Sequence, residues 1–190
     1  MKKLLLLVSL LWLSQANAAP EIGQTPPPFT AQTADGKTVK LSDFAGKVVV
    51  LEWYNPECPF SRKFYSTGKM PEFQKQAIAQ GAIWLSINSG GKISDLKSSA
   101  AADHNAATAV VDDADGKIGK AYGAKTTPHC FVISKDGKLI YKGAIDSVPS
   151  PKPSDISGAT NYVMAAVTAS LAGKMPAQTN TKPYGCGVKY

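Results

Sequence analysis

Residues 48–61 read Val-Val-Val-Leu-Glu-Trp-Tyr-Asn-Pro-Glu-Cys-Pro-Phe-Ser, an apolar run followed by a short turn that contains proline. Only Glu52 interrupts the apolar run from Val48 to Tyr54, a pattern typical of a central strand covered on both faces. Cys58 follows the turn, where a helix is predicted to begin. The helix dipole and unpaired backbone N–H groups at such a position stabilise a thiolate, the reactive form of cysteine. Cys58 is therefore the leading candidate for a nucleophile.

The residues around Cys58 limit what this thiol can do alone. Three residues later, where a dithiol enzyme has its second cysteine, the chain has Ser61. The Ser61 hydroxyl lies one helical turn on, so we predict that it can donate a hydrogen bond to the sulfur, although it cannot resolve a mixed disulfide. Glu57 raises the pKa of the thiol, whereas Arg62 and Lys63 lower it. A structural half-cystine that never turns over is the alternative interpretation of Cys58.

The N-terminal residues 1–18 have the pattern of an export signal. Two lysines near the start precede an apolar stretch over residues 4–13 and an Ala-Asn-Ala cleavage motif at 16–18. The apolar stretch is shorter than the roughly 20 residues that cross a bilayer. We therefore predict cleavage after Ala18 and a periplasmic or secreted mature chain without stable membrane insertion. A retained membrane anchor is the alternative.

Composition argues against several classes of function. The net charge of +7 comes from lysines dispersed along the chain, and Arg62 is the only arginine. The sequence has no basic stripe, so we do not predict nucleic acid as a partner. The three cysteines and two histidines lack tight ligand spacing, and we predict neither a metal nor another cofactor. An odd number of cysteines in an oxidising compartment means that one thiol stays free or pairs with a partner molecule.

Hydrophobic periodicity predicts an α/β fold with a mixed sheet. Strands alternate with helices early in the chain, and a hairpin turn at residues 135–137 closes the sheet. The predicted elements after the first central strand are a helix over about 59–80 that is interrupted near 68–71, strands over 82–87, 109–111, 127–134 and 138–144, and a last helix over 158–171.

This order of segments resembles the thioredoxin superfamily, specifically its redoxin branch of the alkyl hydroperoxide reductase/thiol-specific antioxidant type. The resemblance covers roughly residues 21–173. It rests on Ile22-Gly23, Pro28-Phe29-Thr30, Asp35-Gly36-Lys37, residues 46–50, Cys58-Pro59, Tyr122-Gly123, Thr126-Thr127-Pro128 and residues 133–137. It implies a thioredoxin fold, with a central mixed β-sheet flanked by helices, over a redoxin domain at 19–174 that includes an N-terminal extension. A cysteine-bearing tail follows at 175–190.

The resemblance also assigns roles to single residues. Cys58 matches the first cysteine of the thioredoxin pair, and Pro128 matches the cis-proline that faces it. Thr127 would then present its backbone to an extended substrate, and His129 would either tune the thiolate or the substrate, or be a surface histidine without a role. Glu52 matches a buried acid that relays a proton; the alternative is a carboxyl satisfied by hydrogen bonds beneath the site.

The departures from the resemblance shape the functional hypothesis. The peroxide-attacking cysteine of peroxiredoxins aligns with Ser61, so their peroxidase site is not carried over. The chain fits better with a peroxiredoxin-like group that has a single thiol at the first position and a Gly-Cys tail, here Gly185-Cys186. An extended tail spans about 3.3–3.6 Å per residue, enough for Cys186 to reach the active site. Cys130, on a probable buried strand, is more often an inert core residue.

These observations lead to three functional hypotheses. The first is an exported thiol-redox enzyme in which Cys58 attacks a protein disulfide or a small oxidised thiol and Cys186 resolves the adduct. The second keeps Cys58 as the nucleophile but makes a peroxide the substrate, giving a sulfenic acid. The third is a non-catalytic binding or chaperone module. The partner of Cys58 stays open between Cys186, Cys130 and a second protein, and a Cys130–Cys186 staple that leaves Cys58 free is a further alternative.

Overall fold

The computed structural model describes residues 19–190. The predicted signal segment and its cleavage site after Ala18 lie outside the described residues. Within residues 19–190, no helix combines the length and the apolar character needed to cross a membrane.

Nine strands and five helices form the described part of the chain. The strands are β1 (Thr30–Thr33), β2 (Thr38–Lys40), β3 (Val49–Trp53), β4 (Ile83–Ser89), β5 (Ala109–Asp113), β6 (Thr126–Thr127), β7 (His129–Ile133), β8 (Leu139–Gly143) and β9 (Cys186–Gly187). The helices are α1 (Pro59–Tyr65), α2 (Lys69–Ala79), α3 (Leu96–Ala102), α4 (Lys117–Tyr122) and α5 (Tyr162–Leu171), with short 3-10 turns at Leu41–Phe44 and Pro153–Ile156.

A seven-stranded mixed sheet in the order β2-β1-β5-β4-β3-β7-β8 carries the fold. Strand β3 runs parallel to β4 and antiparallel to β7, and all five of its residues are buried. Val50 faces one hydrophobic cluster, which also contains residues of α1, α2 and α5, whereas Leu51 faces a second cluster that contains residues of α4. The predicted α/β fold, with a central strand covered on both faces, is therefore confirmed.

Three predicted boundaries shift for local reasons. The interruption predicted near 68–71 in the helix after Cys58 lies at residues 66–68, where Gly68 adopts a left-handed conformation with φ 72° and precedes the second helix. The last helix begins at Tyr162 rather than at 158, because the Asn161 side chain caps it by accepting from the Met164 N–H. The strand predicted over 127–134 is divided by Pro128 into β6 and β7.

The C-terminal tail is packed against the domain. It passes the edge of β8, where the Lys142 N–H donates to Thr179 and the Thr181 N–H donates to Lys142. It then forms β9, which pairs antiparallel with β6 and sets Cys186 opposite Thr127. The sequence analysis predicted that the tail can reach the active site, but it did not predict this strand pairing.

Candidate active site

The turn before α1 places the Cys58 thiol at the end of the central strand. The Asn55 side chain accepts a hydrogen bond from the Glu57 N–H at 2.9 Å, and the Cys58 N–H donates to the Asn55 carbonyl at 3.2 Å. Cys58 is the N-cap of α1, with an extended backbone, and Pro59 occupies the first helical position. Proline suits that position because its φ is already helical and its missing N–H would have no partner there.

The sulfur of Cys58 lies against the β6 backbone. The side chain is 1% exposed, and the protonated thiol donates to the Thr127 carbonyl oxygen at 2.9 Å. The peptide bond between Thr127 and Pro128 is cis. The buried Ser61 hydroxyl has no hydrogen-bond partner among the described residues, so the predicted hydrogen bond from this hydroxyl to the sulfur is not formed. The Ser61 backbone N–H is close enough to lower the pKa of Cys58.

Cys186 is the second thiol at this site. The pairing of β9 with β6 sets Cys186 opposite Thr127, which makes its side chain a neighbour of Cys58. Its predecessor Gly185 has φ 136° and lies so close to the Thr127 carbonyl that any Cβ would overlap with that oxygen. The glycine before Cys186 therefore allows β9 to lie close to β6, which brings Cys186 next to Cys58.

The two thiols differ in acidity. Burial raises the pKa of Cys58, but hydrogen bonds from Cys186, Thr127 and the Ser61 N–H outweigh burial, and the net pKa lies below its ordinary value. Burial and the neighbouring Cys58 raise the pKa of Cys186 to about 11. Cys58 is thus the more acidic thiol of the pair, and Cys186 is the one that stays protonated at neutral pH.

Cys130 is far less suited to thiol chemistry. All three cysteines are free thiols in the structure, and Cys130 is fully buried, with no exposed surface. Burial, and then the charges of Glu52 and Asp146, raise its pKa well above the ordinary value. Of the other two cysteines, Cys186 is the one that contributes to the shifted pKa of Cys58.

His129 occupies the core rather than the surface. Its Nδ1 accepts a hydrogen bond from the Lys125 N–H at 3.2 Å, and its ring packs on Phe131 with centroids 4.5 Å apart. Burial, reinforced by the charges of Lys125 and Lys142, lowers the pKa of His129 to about 3, so the ring is neutral. The interpretation of His129 as a surface histidine is wrong, and no described contact joins it to Cys58.

Glu52 is fully buried and satisfied by hydrogen bonds. Its carboxylate accepts from the Trp84 indole N–H at 2.8 Å and from the Tyr65 hydroxyl at 2.9 Å. Ser86 donates at 3.0 Å and Gln74 at 3.3 Å. Burial raises the pKa of Glu52, and these hydrogen bonds only partly oppose the rise. The contacts match the satisfied-carboxyl interpretation, and none of them leads to Cys58.

Replacing Glu52 with glutamine tests this interpretation. The raised pKa means that folded Glu52 holds its proton above the ordinary value of 4.5, where the unfolded chain has lost it. The Glu52 contribution to the free energy of unfolding should therefore fall as pH rises above 4.5, by about 1.4 kcal/mol for each unit of the pKa difference, whereas the lowered pKa of His129 makes the opposite contribution. Glu52→Gln cannot titrate, so the free energy of unfolding, measured with urea, should fall less or rise more with pH than in the wild type.

The geometry makes Glu52→Gln a tolerable substitution. The carboxylate oxygen that contacts only Tyr65 can be replaced by an amide nitrogen that donates to the Tyr65 hydroxyl. His129 titrates in both proteins, so the comparison isolates Glu52. Equal pH slopes in the two proteins would contradict a raised pKa.

Three residues of this region were missed or misjudged at the level of sequence. Lys63 was predicted to favour the Cys58 thiolate, but it is buried and lies 3.2 Å from the carboxylate of Asp146. Asp146 and Tyr184 were not singled out, although the Tyr184 hydroxyl donates to Asp146 beside the tail. The signal that was available for Tyr184 was an aromatic residue placed two positions before Cys186 in a tail containing several polar and glycine residues. In residues 19–190, no group of three or more His, Cys, Asp or Glu side chains is arranged to hold a metal ion.

Comparison with known proteins identifies the family of this chain and supports its fold. The model of the AhpC/TSA family matches residues 22–142. Thiol-disulfide oxidoreductase ResA of Bacillus thuringiensis is 32% identical over 127 residues, which cover 63% of this chain and 68% of ResA.

Two solved structures resemble this one. A putative thiol:disulfide interchange protein DsbE from Chlorobium tepidum has a TM-score of 0.56 at 28% identity and covers 65% of this chain and 85% of its own. A hypothetical protein from Sinorhizobium meliloti has a TM-score of 0.78 at 24% identity and covers 91% of this chain and 96% of its own, which shows the same fold.

Proposed function

Because this chain belongs to the AhpC/TSA family, we propose that it is a thiol–disulfide oxidoreductase in which Cys58 is the nucleophile and Cys186 the resolving thiol. A relative that is named thiol-disulfide oxidoreductase supports the reaction class. The position of Cys186 beside Cys58 is the single observation that carries the assignment of residues: β9 sets Cys186 opposite Thr127, whose carbonyl oxygen lies 2.9 Å from the Cys58 sulfur. Cys186 is then the second cysteine that the Ser61 position lacks.

The reaction runs in two exchange steps. The Cys58 thiolate attacks one sulfur of a partner disulfide, forms a mixed disulfide and releases the other partner sulfur as a thiolate. Cys186 then loses its proton to that thiolate and attacks the Cys58 sulfur. The partner leaves as a dithiol, and the chain keeps a Cys58–Cys186 disulfide. Two electrons have moved from the chain to the partner, and the reverse sequence oxidises a partner dithiol.

The acidity of the two thiols fits this order. The lowered pKa of Cys58 supplies thiolate for the first attack, whereas Cys186, with a pKa of about 11, stays protonated until it is needed. When Cys58 is bound in a mixed disulfide it no longer carries charge. The charge of Cys58 then no longer raises the pKa of Cys186, so Cys186 ionises more readily and can act as the nucleophile.

Access to Cys58 requires the end of the tail to move. Cys58 is 1% exposed, so a partner disulfide cannot contact its sulfur in the closed arrangement. The segment beyond Cys186 is held by the Val188 N–H, which donates to Lys125 at 3.1 Å, and by the Tyr190 hydroxyl, which donates to Ala124 at 2.7 Å. The Lys189 carbonyl also lies against Gly90 and the Tyr190 ring against Gly116 and Gly119, so local opening of the chain end, which must break these contacts, is the expected entry route.

A competition between disulfide and peroxide tests the proposed function. The reduced protein is mixed in separate arms with an oxidised peptide dithiol and with hydrogen peroxide, and formation of its own disulfide is followed by quenched-flow alkylation and mass. We expect faster oxidation by the disulfide, because the peroxidatic position is occupied by Ser61. Peroxide oxidation that outpaces disulfide exchange would instead favour a thiol peroxidase.

We also propose that the protein is exported. The charged start, the apolar stretch and the Ala-Asn-Ala motif of residues 1–18 support this. The N-terminal sequence of the protein recovered from its source should begin at Ala19, and a mature chain that still carries residues 1–18 would contradict cleavage.

A further inference from the structure

The tail reaches the active site through a buried charged network. The Lys63 ammonium lies 3.2 Å from the Asp146 carboxylate and 3.2 Å from the Val148 carbonyl, and the side chains of Lys63 and Asp146 are 0% and 3% exposed. The other carboxylate oxygen of Asp146 accepts from the Val148 N–H at 3.0 Å and from the Tyr184 hydroxyl. Tyr184 is therefore bound to a charged group that is fixed inside the domain.

The Tyr184 ring is also attached to the helix that carries the nucleophile. It packs edge-on against Phe60 in α1, with ring centroids 5.9 Å apart and an interplanar angle of 63°. The Lys63 ammonium lies 5.8 Å from the centre of the Tyr184 ring, a cation–π distance. Cys186, two residues after Tyr184, pairs with Thr127, whose carbonyl oxygen lies 2.9 Å from the Cys58 sulfur at the N-cap of the same helix. The start of α1 thus lies beside both Tyr184 and Cys186.

The contacts of the tail differ in burial on the two sides of Cys186. On the N-terminal side, Tyr184 contacts a buried ion pair and an aromatic ring. On the C-terminal side, Tyr190 is 51% exposed; its hydroxyl donates to Ala124, and its ring lies against Gly116 and Gly119 and 5.6 Å from Lys120. The segment after Cys186 is therefore the part expected to lift for a partner while Tyr184 keeps its buried contacts.

We propose that Tyr184 is a positioning residue that keeps Cys186 within reach of the Cys58 mixed disulfide, through its hydroxyl on Asp146 and its ring on Phe60. The inference rests on the proposed function and deepens it. An attacking group held near its target reacts at a higher effective concentration than one on a free chain end. Without Tyr184 the resolving thiol is carried by a loose tail, and the second exchange step slows while the first does not.

A single-turnover experiment separates the two steps. The reduced full chain is mixed with excess dithiobis(nitrobenzoate), an aromatic disulfide, and release of the coloured thiolate is followed by stopped flow. Attack by Cys58 releases one thiolate and leaves a mixed disulfide; attack by Cys186 on the Cys58 sulfur releases the second thiolate and forms the internal disulfide. Mass analysis of Cys186→Ser, which should stop after the first release, verifies that the adduct sits on Cys58.

Two substitutions of Tyr184 separate the contribution of its hydroxyl from that of its ring. In Tyr184→Phe the bond to Asp146 is lost, and we expect the second release to slow about tenfold, the usual scale for a hydrogen bond to a charged group. Tyr184→Ala also removes the ring from Phe60 and should slow it further. The reduction potential of the internal disulfide should rise by about 30 mV for each tenfold loss of effective concentration. The matched control is Tyr162→Phe in α5, since no side-chain hydrogen bond of Tyr162 occurs among residues 19–190.

The outcomes of this experiment test the positioning role of Tyr184 separately from the proposed function. An unchanged second release and potential in folded Tyr184→Phe and Tyr184→Ala would overturn the positioning role. Equal slowing of both releases would also overturn it, because it would indicate a general loss of structure. If Tyr184→Ala does not fold, Tyr184→Phe decides the matter. A wild type that never gives the second release would refute Cys186 as the resolving thiol, which is a failure of the proposed function itself.

Discussion

Cys58→Ser should lower the rate of thiol–disulfide exchange by a thousandfold or more, the order of magnitude seen when a nucleophile is removed. A serine hydroxyl is not ionised at neutral pH and cannot form a disulfide. Cys186 does not replace the lost thiol, because its pKa of about 11 leaves very little thiolate. Turnover of a peptide disulfide with a small thiol as the reductant measures the effect.

Two further variants show that the loss is specific to Cys58. Cys186→Ser keeps the nucleophile, so it should still attack a disulfide but accumulate the mixed disulfide instead of turning over. Cys130→Ala removes a thiol that has no exposed surface, and it should exchange at close to the wild-type rate. Substantial exchange by Cys58→Ser would place the reactive thiol elsewhere in the chain.

Lys63→Met should destabilise the protein by about 3 kcal/mol or more, the range observed when one partner of a buried ion pair is removed. The substitution leaves Asp146 charged in the interior, where only the Val148 N–H and the Tyr184 hydroxyl still donate to it. Methionine keeps most of the length of the lysine stem, so loss of charge rather than loss of volume dominates. Urea unfolding at neutral pH gives the difference in free energy.

An exposed ion pair in the same protein provides the matched comparison. Lys117 lies 2.6 Å from Asp115, but their side chains are 84% and 56% exposed. Lys117→Met should therefore change the free energy of unfolding far less than Lys63→Met does. Replacing both Lys63 and Asp146, as Lys63→Met with Asp146→Asn, should recover part of the stability, because no unpaired charge remains. A Lys63→Met protein as stable as Lys117→Met would contradict a buried pair.

The sequence predicted the parts of the site that follow from regular patterns. The apolar run that ends at Tyr54 indicated β3, and the proline turn after it indicated that Cys58 begins a helix. Glu52 was identified as a buried acid because it lies inside that run and matches the buried acid of thioredoxins. These features are local, and each depends on a few adjacent residues whose periodicity is visible without tertiary structure.

The tail and the buried polar residues could not be predicted in the same way. Strand β9 is only two residues long and contains a glycine, so no alternation marks it. Lysine is almost never fully buried without a partner, and the partner of Lys63 lies in a distant loop at Asp146. His129 was misjudged because its burial depends on the pairing of β7 with β3, where it lies opposite Trp53. Long-range pairing decides all three.

The pairing of Cys58 with Cys186 is the central claim, and peptide mapping of the oxidised protein tests it most directly. The folded chain is oxidised with a stoichiometric disulfide, its free thiols are alkylated, and the digest is analysed by mass without reduction. We predict one linked pair of peptides that contain Cys58 and Cys186, with Cys130 alkylated only after unfolding. An alkylated Cys58 beside a Cys130–Cys186 link, or no internal disulfide at all, would contradict the account.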